Sequence, residues 1–378
     1  MPDQYTEVTK KSWGSRLGGS IGGIFFGILL FFASFAVLFW NEGRVGISET
    51  AKDAVPMDAT VLQQNAPKGQ LVAASGPLTT DDKISDGQFL KSGSYLSVRR
   101  TVEMYGWVEE SNSSTETKLG GSQETKTTYT YTKKWVDSVP NSSNFKVAEG
   151  HSNPAKKYES VANTAPTAKV GVYSVDPNRL SMPGSEALAL VSDGVNLPVD
   201  GEIVNGKYIY VGGFSMDDPI VGDVRISYNV IPSGNTVTAF GKLDSDKITP
   251  FVNKDGQTLY EARMTGFEES VVAMEKEHAR SLWIWRVVGF MMMWIGLSMV
   301  LAPLSVLLDV LPFLGSLSRG AVSLATGLIS FVLSVVTILV SMIFHNVEAL
   351  VVSVIVAAGV VFYLFKKRGQ KKPSTTNV

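Results

Sequence analysis

Four stretches of the chain are apolar and almost free of charge, and a long region of alternating apolar and polar residues separates the first from the second. No charged residue occurs from 17 to 40, a run of 24 residues that contains Ile28, Leu29, Leu30, Phe31 and Phe32. A helix of about 20 such residues crosses the hydrocarbon of a bilayer. After Arg286 the only charged residues before the tail are Asp309, Arg319 and Glu348, which cut the C-terminal third into the runs 287–308, 320–347 and 349–365. With tilt and interfacial residues allowed for, the pattern predicts transmembrane helices at 17–40, 282–308, 320–344 and 349–365. A cytoplasmic loop at 309–319 and a tight turn at 345–348 separate the last three.

The first run is read as a retained anchor. Lys10, Lys11 and Arg16 resemble the basic region of a signal peptide, but the run exceeds the 7–15 residues of such a peptide and ends on Phe39 and Trp40. Bulky aromatic residues belong at the headgroup level. Trp283 and Trp285 are predicted at the same level, with Arg286 snorkelling there. The charged break "NEGR", 41–44, then marks the exit from the membrane and is expected to pin the start of the insert to the start of the second span.

Between the spans lies a water-soluble insert of 241 residues, 41–281. Period-two alternation marks half-buried strands. In "YLSVRRTVEMYGWVEE" it places Val98, Arg100, Val102, Met104 and Val108 on one face, and Arg99, Thr101, Glu103, Tyr105 and Trp107 on the other. Further strands are predicted in "KTTYTYTKKWVDS", "GKYIYVGG", "GDVRISYNVI" and "TVTAFGKL", with hairpin turns at "SGN" near Gly234 and "KDG" near Gly256. Low-complexity 109–128 reads as a loop or long hairpin tip. The stretches at Gly69 and Gly206 echo each other as glycine, apolar strand, glycine and paired aspartates, which raises an internal duplication. Before the second span the period becomes helical, so a helix starting near Gly266, with Thr265 and Glu268 as a capping box, is expected to run on into the bilayer.

The fold class is thus membrane α-helical with four transmembrane helices, plus a large β-rich (α+β) extracytoplasmic domain inserted between helices one and two. Charge orients it. The insert carries 31 acidic and 24 basic residues, whereas the tail "KKRGQKK" within 366–378 is strongly basic. The positive-inside rule puts the tail and the N-terminal segment 1–16 in the cytoplasm and the insert outside. A net charge of −1 over 378 residues, 44% of them apolar, argues against a nucleic-acid binder. The absence of cysteine excludes disulfides, thiolate metal sites and cysteine nucleophiles.

Several motifs together resemble the transmembrane protein 43 (LUMA) family: "NEGR" after the first span, "VRRTVEMYGWVE", "YTYTKKW" leading to "GHSNP", "VGDVRISY" and "LLDVLPFLG". The resemblance runs over nearly the whole chain. It implies a four-span endomembrane protein with cytosolic termini and a luminal or periplasmic loop, one that organises membrane protein complexes. The location it implies is the endoplasmic reticulum or inner nuclear membrane in a eukaryote and the inner membrane in a bacterium. It also implies structural roles for Asn41, Glu42, Gly43, Arg44, Arg100, Glu103, Tyr105, Trp107, Gly150, His151, Asn153, Pro154, Gly222, Asp223, Arg225, Asp309 and Pro312. No catalytic residue carries over.

Candidate chemistry is sparse. The three histidines, His151, His278 and His345, lie in separate segments. His151 as a metal ligand needs Glu103 or Glu149, without diagnostic spacing, so a turn-stabilising role is expected. Asp223 and Arg225 share a strand face and read as a structural ion pair or as cross-strand contacts. Ser15, Gly19, Gly23 and Gly27 recur every fourth residue, a stripe that lets helix backbones approach in lipid, within the protomer or between copies. Transport sites are marked by mid-membrane charge, and here charges fall at the run ends. The reading is a non-enzymatic scaffold without cofactor or metal, partnered by the bilayer, by other membrane proteins or by copies of itself. A transporter or channel subunit is the alternative.

Overall fold

The computed structural model describes residues 3–62, 69–310, 312–345 and 351, the segment 312–319 by its backbone only. Apart from Val351, the predicted fourth span and the basic tail lie outside the described residues. The chain divides into two units. The first comprises Met1–Val8, Gly46–Ser114 and Lys126–Lys276, and the second Thr9–Val45, Thr115–Thr125 and Glu277–Val378.

Strands β1 (Gln4–Lys11), β2 (Val55–Asp58), β3 (Leu71–Thr79), β4 (Tyr95–Thr117), β5 (Gln123–Val136), β6 (Val161–Thr164), β7 (Ala168–Val170), β8 (Tyr173–Val175) and β9 (Glu186–Ala187) come first. They are followed by β10 (Gly201–Val204), β11 (Tyr208–Val211), β12 (Val224–Pro232), β13 (Thr236–Asp244), β14 (Lys247–Thr249), β15 (Phe251–Val252), β16 (Thr258–Leu259) and β17 (Glu261–Arg263). The helices are α1 (Trp13–Glu42), α2 (Ile47–Lys52), α3 (Phe267–Leu308) and α4 (Pro312–His345).

In the first unit the alternating segments become one large sheet in the order β1-β5-β4-β12-β11-β10, with β6 against β4 and β9 against β12. Antiparallel register sets Val102 opposite Ile226 and Met104 opposite Val224. Because side chains alternate across a strand, this register brings Val98, Val102, Met104, Ile209, Val224, Ile226 and Val230 into one buried cluster. Each such side chain contributes roughly 1.5–3 kcal/mol relative to exposure.

A second sheet closes on itself. β13 pairs with β3 and β14, β3 with β7, β7 with β8, and β8 with β14, so five strands form a ring. Val72, Ala74, Leu78, Val170, Tyr173, Val237, Ala239, Leu243 and Ile248 are buried together in its core. Outside it, Ala73 and Phe240 pack with Ala51 of α2 and with Val271 and Met274 at the start of α3.

Two turn signals had different outcomes. "KDG" joins β15 to β16, with Gly256 at φ 76°. "SGN", with Gly234 at φ 111°, does not make a hairpin, because β12 and β13 on either side of it belong to different sheets. The suspected duplication lacks equivalent surroundings: β3 lies in the ring and β11 in the large sheet, while Val98 and Val224 stand on adjacent strands of one sheet.

α3 runs unbroken for 42 residues, as the helical period predicted. Its capping box is shifted by one. Glu269 accepts from the Gly266 N–H at 3.0 Å, and the Thr265 hydroxyl meets Ser270 at 2.8 Å, so Gly266 is the cap and Glu269 its third helical residue. α4 begins within the expected loop 309–319, because Pro312 suits the first position of a helix, where its missing N–H costs no hydrogen bond. Among the described residues, three helices are long and apolar enough to cross a membrane. Within the segment read as the N-tail, Gln4–Lys11 forms strand β1, which pairs with β5, and α1 starts at Trp13.

Candidate functional site

Family-motif residues gather at two places, one in each unit. In the helical unit the "NEGR" break closes one end of the α1–α3 pair. Glu42 takes a bidentate salt bridge from Arg286, Nε to Oε1 at 2.8 Å and Nη2 to Oε2 at 2.7 Å. Such fork-on-carboxylate pairs fix orientation as well as charge. Asn41, fully buried, donates from Nδ2 to the Leu282 carbonyl at 3.1 Å, and Arg44 donates to the Ser281 hydroxyl at 3.1 Å. Trp40 meets Trp285 edge to face at 5.7 Å, while Arg44 lies over Trp40 and Arg286 over Trp283. Gly43 is required by close approach: a Cβ there would overlap the His345 ring, which Ser341 and Phe39 hold in place.

At the other end of α1, Arg16 pairs with the fully buried Asp309, and the Trp13 indole N–H donates to the Val306 carbonyl at 2.9 Å. Between the two charged ends the glycine stripe divides. A Cβ on Gly27 would lie 2.8 Å from the Gly296 carbonyl oxygen, and one on Gly23 would touch Met299 at 3.5 Å. α1 and α3 therefore cross backbone to backbone at Gly27 and Gly296. Among the described residues nothing lies within 4 Å of the Cβ positions of Gly14, Gly18, Gly19 and Gly22, and the Ser15 N–H is occupied by the capping hydroxyl of Ser12.

In the β-rich unit the other motif residues meet around the β4–β12 pair. Arg225 stands opposite Glu103 in register and grips it through Nε at 2.7 Å and Nη2 at 3.0 Å. Its guanidinium lies between the rings of Trp135 and Tyr208, 4.7 and 4.9 Å from their centroids, and Tyr105 packs on Trp135. Of the two expectations for this pair, the cross-strand contact is the one Arg225 makes, and Asp223 turns to other partners. It accepts from the buried Tyr210 hydroxyl at 2.6 Å and from the Ile220 N–H at 2.9 Å. Burial and this carboxylate together push the Tyr210 phenol well above its ordinary range.

His151 is buried, stacked on Tyr131 at 4.0 Å and set edge-on to Trp107 at 4.7 Å, with Nδ1 3.0 Å from the Val147 carbonyl. Neither Glu103 nor Glu149 is placed as its partner, and the described residues hold no group of three potential metal ligands. Asn153 stands in for a neighbouring strand: it accepts from the Trp107 N–H at 2.7 Å and donates to the Trp107 carbonyl at 2.9 Å. Gly150 and Gly222 take φ 82° and 104°, conformations that favour glycine, and Pro154 packs beside Gly222.

Arg100, predicted on the apolar face, is indeed buried there, and its partner was missed by the sequence reading. Asp86 receives Arg100 and the Tyr228 hydroxyl on one oxygen, each at 2.7 Å, and the N–H groups of Gln88, Phe89 and Leu90 on the other. Burial by itself would raise this carboxyl; the five donors outweigh it and hold the group below the ordinary carboxylate range. The available signal was the Asp-Gly turn in "ISDGQFL".

Comparison with known proteins agrees with the motifs. The family model for transmembrane protein 43 matches residues 104–347. Transmembrane protein 43 of Mus musculus is 30% identical over 317 residues, covering 79% of this chain and 78% of the mouse protein. That of Homo sapiens is 29% identical over 316 residues with the same coverage, and the Drosophila melanogaster homologue 27% over 284 residues, covering 72% and 75%. No solved structure matches. From the "NEGR" clamp to the "GHSNP" and "VGDVRISY" contacts, the chain belongs to the transmembrane protein 43 family of membrane proteins.

Proposed function

We propose that the chain is a non-enzymatic membrane scaffold that organises membrane protein complexes, including copies of itself, through its helices and its β-rich domain. The carrying observation is the divided glycine stripe. Gly27 and Gly23 are used against α3, whereas at Gly18, Gly19 and Gly22 no atom of the described residues lies within 4 Å of a Cβ, which leaves a small-residue face along α1. In lipid, such faces are where a further helix backbone approaches closely. The polar groups of the motif residues support the same reading, since Glu42, Arg225, Asp223, Asn153 and Arg100 are occupied by structural partners.

The test replaces Gly19 with Ile, which adds a branched side chain on the open face. In mild detergent and in nanodiscs the variant is expected to keep its fold and helix content while running as a smaller species or losing co-purified membrane proteins. The reading fails if the wild type is strictly monomeric in native lipid at all concentrations and co-purifies with no partner.

A further inference from the structure

Within the β-rich unit, the loop between β11 and β12 is closed at its neck and apolar at its surface. The Asp223 carboxylate accepts from the Gly213 N–H at 3.4 Å and from the Ile220 N–H at 2.9 Å, one near each end of the loop, and Tyr210 holds the same carboxylate. Inside the loop the Asp218 N–H donates to the Ser215 carbonyl at 3.1 Å, and the Asp217 N–H to the Ser215 hydroxyl at 3.3 Å. This braced backbone carries Phe214 at 77% exposure and Ile220 at 48%. At the same end of the sheet, where Gly201 pairs with Val211, Val199 is 84% exposed. Compact loops with closed necks often carry function, and apolar side chains grouped in water mark interaction surfaces. The surroundings are acidic: Asp217 and Asp218 lie on the loop and Asp200 and Glu202 beside Gly201, with no Lys or Arg from 180 to 206 or from 212 to 224.

The ring sheet of the same unit carries a complementary cleft. β8 and β14 pair only where Ser174 meets Lys247. Next to that bridge the Tyr260 hydroxyl stands between the strands, accepting from the Asp176 N–H at 2.8 Å and donating to the Ile248 carbonyl at 3.0 Å. The strands part around the phenol, and a cleft of about 650 Å³ opens there, with the buried Val175, Ile248 and Tyr260 in its floor and the exposed Lys169, Arg179 and Lys247 at its rim. Two carboxylates also line it and both are engaged: Asp81 takes Lys169 at 3.0 Å, and Asp176 accepts from the Asn178 N–H at 3.0 Å. Among the described residues Arg179 and Lys247 have no salt-bridge partner.

We propose that the β11–β12 loop of one copy docks in this cleft of a second copy, with Phe214 on the apolar floor and Asp217 and Asp218 facing Arg179 and Lys247. Loop and cleft are different surfaces, so the contact is head to tail and a pair of copies keeps one loop and one cleft for further neighbours. An aromatic anchor in a desolvated pocket supplies most of such a contact, and opposite charge at the rim fixes the register and speeds the encounter. The braced neck lowers the ordering cost of docking. This inference rests on the scaffold reading, for which it names the second copy as partner and the surfaces that meet.

The chain has no native cysteine, so single introduced thiols report cleanly. A full-length copy carrying Asp218→Cys and a differently tagged copy carrying Lys247→Cys, brought together in one membrane, are expected to cross-link through a short bis-maleimide. Phe214→Ala, or Asp217→Lys, in the first copy should slow the cross-link by about tenfold or more, the scale of losing an interface anchor. Arg179→Glu in the second copy should restore the rate against Asp217→Lys and slow it against the wild-type loop. All these side chains are exposed, and unchanged thermal unfolding of each variant checks the fold. Equal rates in every combination, or reversal without recovery, overturn the proposal. So does the loss of a different co-purified membrane protein on Phe214→Ala with the cross-link unaffected. An absent cross-link in a wild type that is still oligomeric removes this contact and leaves the scaffold reading standing; a strictly monomeric wild type without any co-purified partner removes both.

Discussion

The crossing of α1 and α3 at Gly27 makes a quantitative contrast with Gly19 on the same helix face. An alanine Cβ at position 27 would stand 2.8 Å from the Gly296 carbonyl oxygen and from Met299 Cβ, and 3.2 Å from the Val300 nitrogen. Comfortable heavy-atom contacts are about 3.5–4.0 Å, so the helices must part by roughly 0.7–1 Å. Two of the three obstructing atoms are backbone and cannot rotate away. A radial gap of about 0.5–1 Å forfeits a quarter to a half of each dispersion well along the crossing, and overpacking of this kind costs about 1–3 kcal/mol. Alanine returns up to about 1 kcal/mol through its greater helix propensity. Gly27→Ala is therefore expected to destabilise by about 1–2 kcal/mol, whereas Gly19→Ala, with no atom of the described residues within 4 Å of its Cβ, is expected to be neutral or slightly stabilising. Unfolding in detergent, followed by tryptophan emission from Trp283, Trp285 and Trp294, measures both. A shift of a few degrees is expected for Gly27→Ala, given about 2–4 °C per kcal/mol in mid-sized domains. Equal behaviour of the two variants would refute the close crossing.

Three further outcomes follow from individual contacts. Asp86→Asn leaves Arg100 buried without its carboxylate and is expected to cost about 3–5 kcal/mol in denaturant unfolding of the β-rich unit. Because the folded Asp86 carboxyl titrates below its unfolded value, its contribution is complete above the ordinary carboxylate range and is lost as pH falls through the folded value. The wild type should lose stability below about pH 4 more steeply than the variant, and parallel pH profiles would count against the assignment. Arg225→Lys keeps the charge but gives up the bidentate grip on Glu103 and the stacking between Trp135 and Tyr208; a loss of about 1–2 kcal/mol is expected, larger than for Arg99→Lys, whose side chain is exposed. Gly43→Ala forces the His345 ring out of its position against Ser341, so His345 should become more accessible to diethyl pyrocarbonate, and unchanged reactivity would argue against that packing.

Much of the local plan could be read without coordinates. Uncharged length located the apolar helices, period-two alternation located β4, β5, β11, β12 and β13, and the change to a helical period at Gly266 announced a helix that continues into the apolar segment. The "NEGR" break was legible in the same way, because three polar residues around a glycine straight after an aromatic pair have few uses other than an interface, and the structure joins Asn41, Arg44 and Glu42 to Leu282, Ser281 and Arg286. These features are legible because each depends on neighbours within a few residues along the chain.

What the sequence left open depends on contacts between residues far apart. Whether "SGN" makes a hairpin or a passage between sheets depends on which partner β13 finds, and it finds β3, more than 150 residues earlier in the chain. The closed ring of five strands, the partnership of Asp86 with Arg100 and Tyr228, and the insertion of Arg225 between Trp135 and Tyr208 are set the same way. The N-terminal segment is the clearest case. "QYTEVTKK" is polar and short, and by composition it is a tail; it becomes a strand because β5 offers it an unpaired edge. Local composition thus determined which segments are apolar, extended or helical, while strand edges, buried ion pairs and backbone crossings were decided by tertiary structure, since their free energy exists only once distant groups have been brought together and dehydrated.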